Sequence, residues 1–192
     1  IYGLFGPVAA PNRLQQTLDA LKAHGCTGLM AYSEGVLDDV NKALLAGLAS
    51  GLHQDATSVL TAYARRFFNA DDATAAEWAA WLRAWGNPFS VDAEACASTL
   101  SRLTAPIGEH PWRLKQWELK LELLQAHHAV MAIPEWTPER FNKADDFWKV
   151  YERLERGVWG LGPTRGCIAK SRNNLPWYPD WAKHTAAGTV IK

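Results

Sequence analysis

The stretch from Cys26 to Tyr32 reads CTGLMAY and passes without a break into Ser33-Glu34-Gly35. A short apolar run that ends in small and polar residues predicts a buried β-strand. Downstream, Leu37, Val40, Leu44, Leu45 and Leu48 recur at helical spacing and stop near Ser50-Gly51. Upstream, Ile1-Tyr2-Gly3-Leu4-Phe5 is a second apolar run, closed by Gly6-Pro7. Between the two runs, Pro11 and Asn12 open a helical pattern of Leu14, Leu18 and Leu21, with His24-Gly25 as its stop. Strand, helix, strand and helix within about 50 residues is the period of parallel α/β folds. Ile1 to Phe5 and Thr27 to Tyr32 are therefore expected to be parallel neighbours.

Beyond Gly51 the strand signals vanish. Asp55 is placed to cap a helix through Phe68, and Asp71-Asp72 to start another that reaches Trp85 before Gly86-Asn87-Pro88. Ser90 precedes a third helix, with Asp92 and Glu94 in its first turn, ending near Leu103. Pro111 suits the first turn of a long helix to about Met131, and Thr137-Pro138-Glu139 starts a last one that reaches Arg156 before Gly157. The fold class expected is thus α/β passing to mainly α: residues 1–51 a β-α-β-α portion, 52–156 an α-helical domain, 157–192 an irregular, Trp-rich tail.

Lys+Arg and Asp+Glu both count 20 in 192 residues, so the basic excess of a nucleic-acid binder is missing. No apolar run is long enough to cross a bilayer, and no charged n-region precedes an apolar one, so neither a membrane span nor a signal peptide is expected. A start at Ile1 is that of a processed chain or of part of a longer one. Cys26, Cys96 and Cys167 are widely spaced, and the His127-His128 pair points two ways on a helix, so no metal site is expected and no cofactor is implied. Compartment is left open.

The residues with most chemistry are Ala31-Tyr32-Ser33-Glu34-Gly35-Val36-Leu37-Asp38-Asp39-Val40-Asn41-Lys42. Groups just past the C-terminal end of a parallel strand face the ligand crevice of α/β folds. Glu34, Asp38 and Asn41 recur at spacings of four and three, on an edge apart from the leucines. A carboxylate there can act as acid, base or hydroxyl acceptor, which makes Glu34 the catalytic candidate. Tyr32, Ser33, Asp38 and Asn41 are the substrate-binding candidates. The same residues also have a purely architectural reading: acids favour a helix's first turn, Asp38 can pair with Lys42, and Ser33 can cap. The ten tryptophans include Trp78, Trp81 and Trp85, a stripe of helical period that predicts burial rather than a sugar platform. Trp177-Tyr178-Pro179-Asp180-Trp181 is expected to pin the tail onto the helices.

Tyr32 to Lys42, as Y-S-E-G-x-x-D-D-x-N-K, resembles a segment near the last strand of some bacterial (β/α)8-barrel glycoside hydrolases, and Tyr63 to Phe68 (YARRFF) matches an element that follows it there. The chain is most similar to the inverting exosialidase family, glycoside hydrolase family 156, over roughly its first 70 residues. The resemblance implies the last two of eight β-α units, followed by an appended helical domain. It implies that the family's catalytic Asp and His and its carboxylate-binding arginines come from earlier in a barrel that this chain lacks. It maps Asn41 onto a substrate-contacting Asn and makes Glu34 a ligand or a supporting group.

Two readings follow. The first is a segment of a glycosidase, an exosialidase of glycan metabolism acting on terminal sialic acid, with a carbohydrate substrate and no nucleic-acid or membrane partner. Its helical region or tail would leave room for a homodimer. The second is a helical binding or interaction module without chemistry, favoured by the strand-free stretch after Gly51. A non-barrel α/β enzyme is a third.

Overall fold

The computed structural model describes residues 7–31, 37, 39–87, 89–159, 175 and 177–180. Among these residues there are seven helices and no strand. They are α1 (Pro11–Ala23), α2 (Asp39–Ala49), α3 (Ala56–Phe68), α4 (Ala75–Arg83), α5 (Ala93–Thr104), α6 (Trp112–Met131) and α7 (Pro138–Trp159). Two compact units divide between Lys115 and Gln116.

The helix ends follow local chemistry. Pro11 begins α1, where its missing N–H costs nothing. At the other end Gly25 takes a φ of +76° while its N–H reaches the carbonyl of Lys22 and the N–H of Cys26 reaches that of Leu21, both at 3.0 Å. This is a Schellman closure, and only a residue without a Cβ adopts its turn without strain. Asp55 caps α3 by accepting from the N–H of Ser58 at 2.8 Å, and Asn69 closes it in the left-handed region. Asp92, rather than Ser90, caps α5 through the N–H groups of Glu94 and Ala95. Asp71 caps the turn ahead of α4, accepting from the Thr74 backbone at 2.8 Å and its hydroxyl at 2.6 Å.

In the first unit, α2 and α3 pack closely, and α1 lies on both. Val40, Leu44 and Leu48 of α2 and Val59, Leu60 and Phe68 of α3 are buried. Gly47 lets the two helices meet: a Cβ there would stand 3.0 Å from Val59 Cγ2 and 3.1 Å from the His53 ring. The tryptophan stripe is buried as expected, with Trp78 and Trp85 wholly enclosed and Trp81 4% exposed. Its rings meet edge to face, Trp78–Trp81 at 5.7 Å and Trp81–Trp85 at 5.4 Å, and Phe68 abuts Trp78 at 4.8 Å. The indole N–H of Trp81 donates to the Cys96 carbonyl at 3.0 Å, tying α4 to α5. Arg83 donates to Asn12 at 2.8 Å and to Thr57 at 2.7 Å, holding α4 to α1 and α3.

The expected barrel portion is corrected by this arrangement. Residues 26–31, read as a strand, are coil and exposed throughout, with Met30 97% and Leu29 41% accessible. A strand is completed only by a neighbour's ladder, and none is present among the described residues. The apolar faces of α1 and α2 are covered by helix α3 instead of by a sheet. The fold class is therefore α-helical, not α/β, and the proposed (β/α)8 units and the resemblance to glycoside hydrolase family 156 fall with them. The strand expected over Ile1 to Phe5 lies outside the described residues.

In the second unit, the remainder of α6 and all of α7 bury Trp117, Leu123, Leu124, Phe147 and Leu154. Lys120 is also wholly enclosed, its ammonium 4.0 Å from the centre of the Trp117 ring. An aromatic cluster joins the α6–α7 turn to the tail: Trp136 stacks parallel to Trp177 at 6.4 Å, and Tyr178 meets Trp136 edge-on at 5.3 Å. Arg140 lies over Trp136 at 4.4 Å and donates to the Pro134 carbonyl at 2.7 Å. Trp177 and Tyr178 do pin the tail, while Trp181 lies outside the described residues.

Candidate functional site

Of the residues singled out from sequence, Tyr32, Ser33, Glu34 and Asp38 lie outside the described residues. Asn41 is described, and both ends of its amide are engaged by backbone. Its Oδ1 accepts from the Ala10 N–H at 2.8 Å, and its Nδ2 donates to the Val8 carbonyl at 2.9 Å. Asn41 thereby fixes the chain entering α1 against α2. A mediocre helix former is kept in the first turns of α2 because an amide alone offers a donor and an acceptor side by side.

The exosialidase assignment rested on a strand delivering these groups to a crevice. With coil in its place and no strand among the described residues, the glycosidase reading and the sialidase and TIM-barrel descriptions attached to it are withdrawn. No group of three or more His, Cys, Asp or Glu side chains among the described residues could hold a metal ion. Among the described residues no helix is long and apolar enough to cross a membrane.

A different surface stands out in the first unit. The α3–α4 turn and the loop from α5 to α6 face each other across two adjoining depressions. One, of about 430 Å³, is lined by Asn69, Asp71, Thr74, Leu103, Ile107 and Glu109, among others. The next, of about 540 Å³, is lined by Arg66, Phe67, His110, Trp112 and Lys115, and shares Asn69 and Glu109 with the first. Together they form one open trough.

Trp112 rises from its wall 58% exposed, whereas Trp78, Trp81, Trp85 and Trp117 are buried. Its ring does not hang free. The Arg113 guanidinium lies 4.0 Å from the Trp112 ring centre and 5.5 Å from that of Phe67, and Arg66 lies 5.9 Å from Phe67. Cation and aromatic ring thus alternate from Arg66 through Phe67 and Arg113 to Trp112, with Arg113 behind the lining residues, and each contact adds electrostatic attraction to packing. Arg113 is held from behind by Asp39 at 3.6 Å, with side-chain exposures of only 18% and 12%. Asp39 in turn accepts a hydrogen bond from the Tyr63 hydroxyl. This chain runs from the start of α2 through the core of α3 to the first turn of α6, so the exposed indole is set by buried parts.

The trough's charges are unevenly spread. Arg65 is taken by Asp72 at 2.9 Å, but Arg66 and Lys115 form no ion pair among the described residues. At the other end Asp71 is acidic and no base lines the wall, while Glu109 borders both depressions. The Thr74 hydroxyl and N–H hold the Asp71 carboxyl below the usual range, so it stays charged in mild acid.

The sequence reading did not find this site. Its signal was the pairing of cation with aromatic in Arg66-Phe67 and Trp112-Arg113, together with the five-residue step from Trp112 to Trp117, which places the two on nearly opposite sides of one helix. No family model, curated protein or solved structure matches the chain.

Proposed function

We propose that the chain is a helical binding module without chemistry of its own, and that the trough between the α3–α4 turn and the α5–α6 loop is its recognition face. The observation that supports this reading is Trp112: 58% exposed, yet clamped by Arg113, which Asp39 and Tyr63 hold from the interior. Tryptophan and arginine dominate the energetics of protein interfaces, and a preset side chain loses less entropy on binding. A core tryptophan would be covered, and a merely tolerated surface one would not need a half-buried ion pair behind it.

The test is selection of a random peptide library displayed on phage against the intact protein, followed by rebinding to Trp112→Ala. Selected peptides should lose on the order of 2 kcal/mol or more of binding energy to the variant, the loss of a central anchor. Binders that ignore Trp112→Ala, or an absence of binders to the wild type, would remove the trough as a recognition face.

A further inference from the structure

We infer that the occupant of the trough is an extended peptide segment with acidic and apolar side chains at one end and neutral or basic ones at the other. This rests on the trough being the recognition face and adds what it recognises.

Three features carry the inference. At the Trp112 end, Arg66 and Lys115 flank an exposed indole and have no ion-pair partner among the described residues. Solvated cations beside an aromatic face recognise a carboxylate with an apolar neighbour, the cations taking the charge and the ring taking the apolar group. At the other end the polarity reverses: Asp71 lines a wall that holds no base, and Glu109 stands where the two depressions join. Between the two ends stands Asn69, common to both depressions and itself exposed, whose amide can pair with the N–H and C=O of a peptide backbone.

The reversal excludes other occupants. A nucleic-acid strand carries a phosphate at every step and would bring negative charge against Asp71 and Glu109. A small anion would engage Arg66 and Lys115 but leave the second depression unused. A neutral oligosaccharide would use Trp112 but gain nothing from the two cations.

The experiment is fluorescence anisotropy of the full chain with a fluorescein-labelled nonapeptide. Its glutamates and a leucine stand at one end, and serine and glycine follow. The comparisons are the same peptide with glutamine for glutamate, a neutral oligosaccharide and a single-stranded oligodeoxynucleotide. The acidic peptide should bind, should weaken about tenfold or more when glutamine replaces glutamate, and should weaken as salt rises through the physiological range. The double variant Arg66→Glu with Lys115→Glu should abolish the preference for glutamate. Arg66→Gln, a milder change at an exposed side chain, should weaken it without altering the circular dichroism spectrum. Equal affinity for the glutamine peptide, or Trp112-dependent binding of the oligosaccharide or the oligonucleotide instead, would overturn the inference. If phage-selected peptides depend on Trp112 but carry no acidic residues, the occupant is wrong and the module stands. If nothing selected depends on Trp112, both fail.

Discussion

Trp81 and Trp78 differ in one respect that a pair of substitutions isolates. Both are buried in the same edge-to-face run, but the Trp81 indole N–H donates to the Cys96 carbonyl at 3.0 Å, whereas that of Trp78 has no hydrogen-bond partner among the described residues. Replacing either by phenylalanine removes the same part of an indole and leaves a six-membered ring in place. The packing loss should be about 1–2 kcal/mol in each case, from the apolar area and cavity involved. Trp81→Phe also loses the bond to the Cys96 carbonyl, which keeps its intrahelical partner in α5, and this adds about 0.5–1.5 kcal/mol. Trp78→Phe strands nothing and deletes a buried donor that has no described acceptor. Trp81→Phe should therefore be the more destabilising by about 0.5–1.5 kcal/mol, although Trp78 is the more enclosed of the two. Urea unfolding followed by circular dichroism and by the indole N–H resonances reads this directly. With a slope typical of small domains, about 2 kcal/mol per M of urea, the two midpoints should differ by about 0.5 M. Equal midpoints, or a lower midpoint for Trp78→Phe at unchanged slope, would refute the assignment of the Trp81–Cys96 bond as a stabilising link between α4 and α5.

Burial, with His128 beside it, pushes the His127 pKa down to about 4 from an ordinary 6.5. The unfolded chain therefore takes up a proton first as pH falls, and stability should drop from about pH 6.5 to pH 4 by at most about 3 kcal/mol. His127→Phe should flatten that part of the Tm-against-pH curve, and an unchanged slope would show that other groups carry it. Cys26 is exposed while burial pushes the Cys96 thiol up to about 12. In a Cys167→Ser background, peptide mapping after brief alkylation should find Cys26 modified and Cys96 modified only in denaturant, and labelling at equal rates in the folded protein would contradict the burial of α5. Asn41→Asp keeps the acceptor for Ala10 but loses the donor to Val8 and sets a carboxylate against a carbonyl, so it should destabilise by about 1–3 kcal/mol. A melt equal to wild type would count against the role given to this amide. Asp55→Ala, removing the cap on Ser58, should cost about 0.5–2 kcal/mol in the same assay, and a null result would show that water replaces the cap.

Most of the helices were legible in the sequence, but the apparent strand from Cys26 was not what it looked like. The bonds of a helix join residues four apart, and its ends are closed by neighbours such as Asp55, Asn69, Asp92 and Gly25. Reading along the chain therefore located α1, α3 and α6 nearly to the residue and the start of α7, which runs past Gly157 to Trp159, and the period of Trp78, Trp81 and Trp85 foretold their burial. Cys26 to Ala31 has the composition of a strand, but a strand exists only if a distant segment supplies its ladder. That partner is a property of the whole fold, and without it the run is exposed coil. The trough was hidden for the same reason. Arg66 and Phe67 lie some forty-five residues from Trp112 and Lys115, and nothing local says that the α3–α4 turn faces the α5–α6 loop. The sequence by itself determined where the chain turns helical and which aromatic faces seek cover. The tertiary structure decided which tryptophan stays in water and which cations stand beside it, because those follow from contacts between segments whose separation no local pattern encodes.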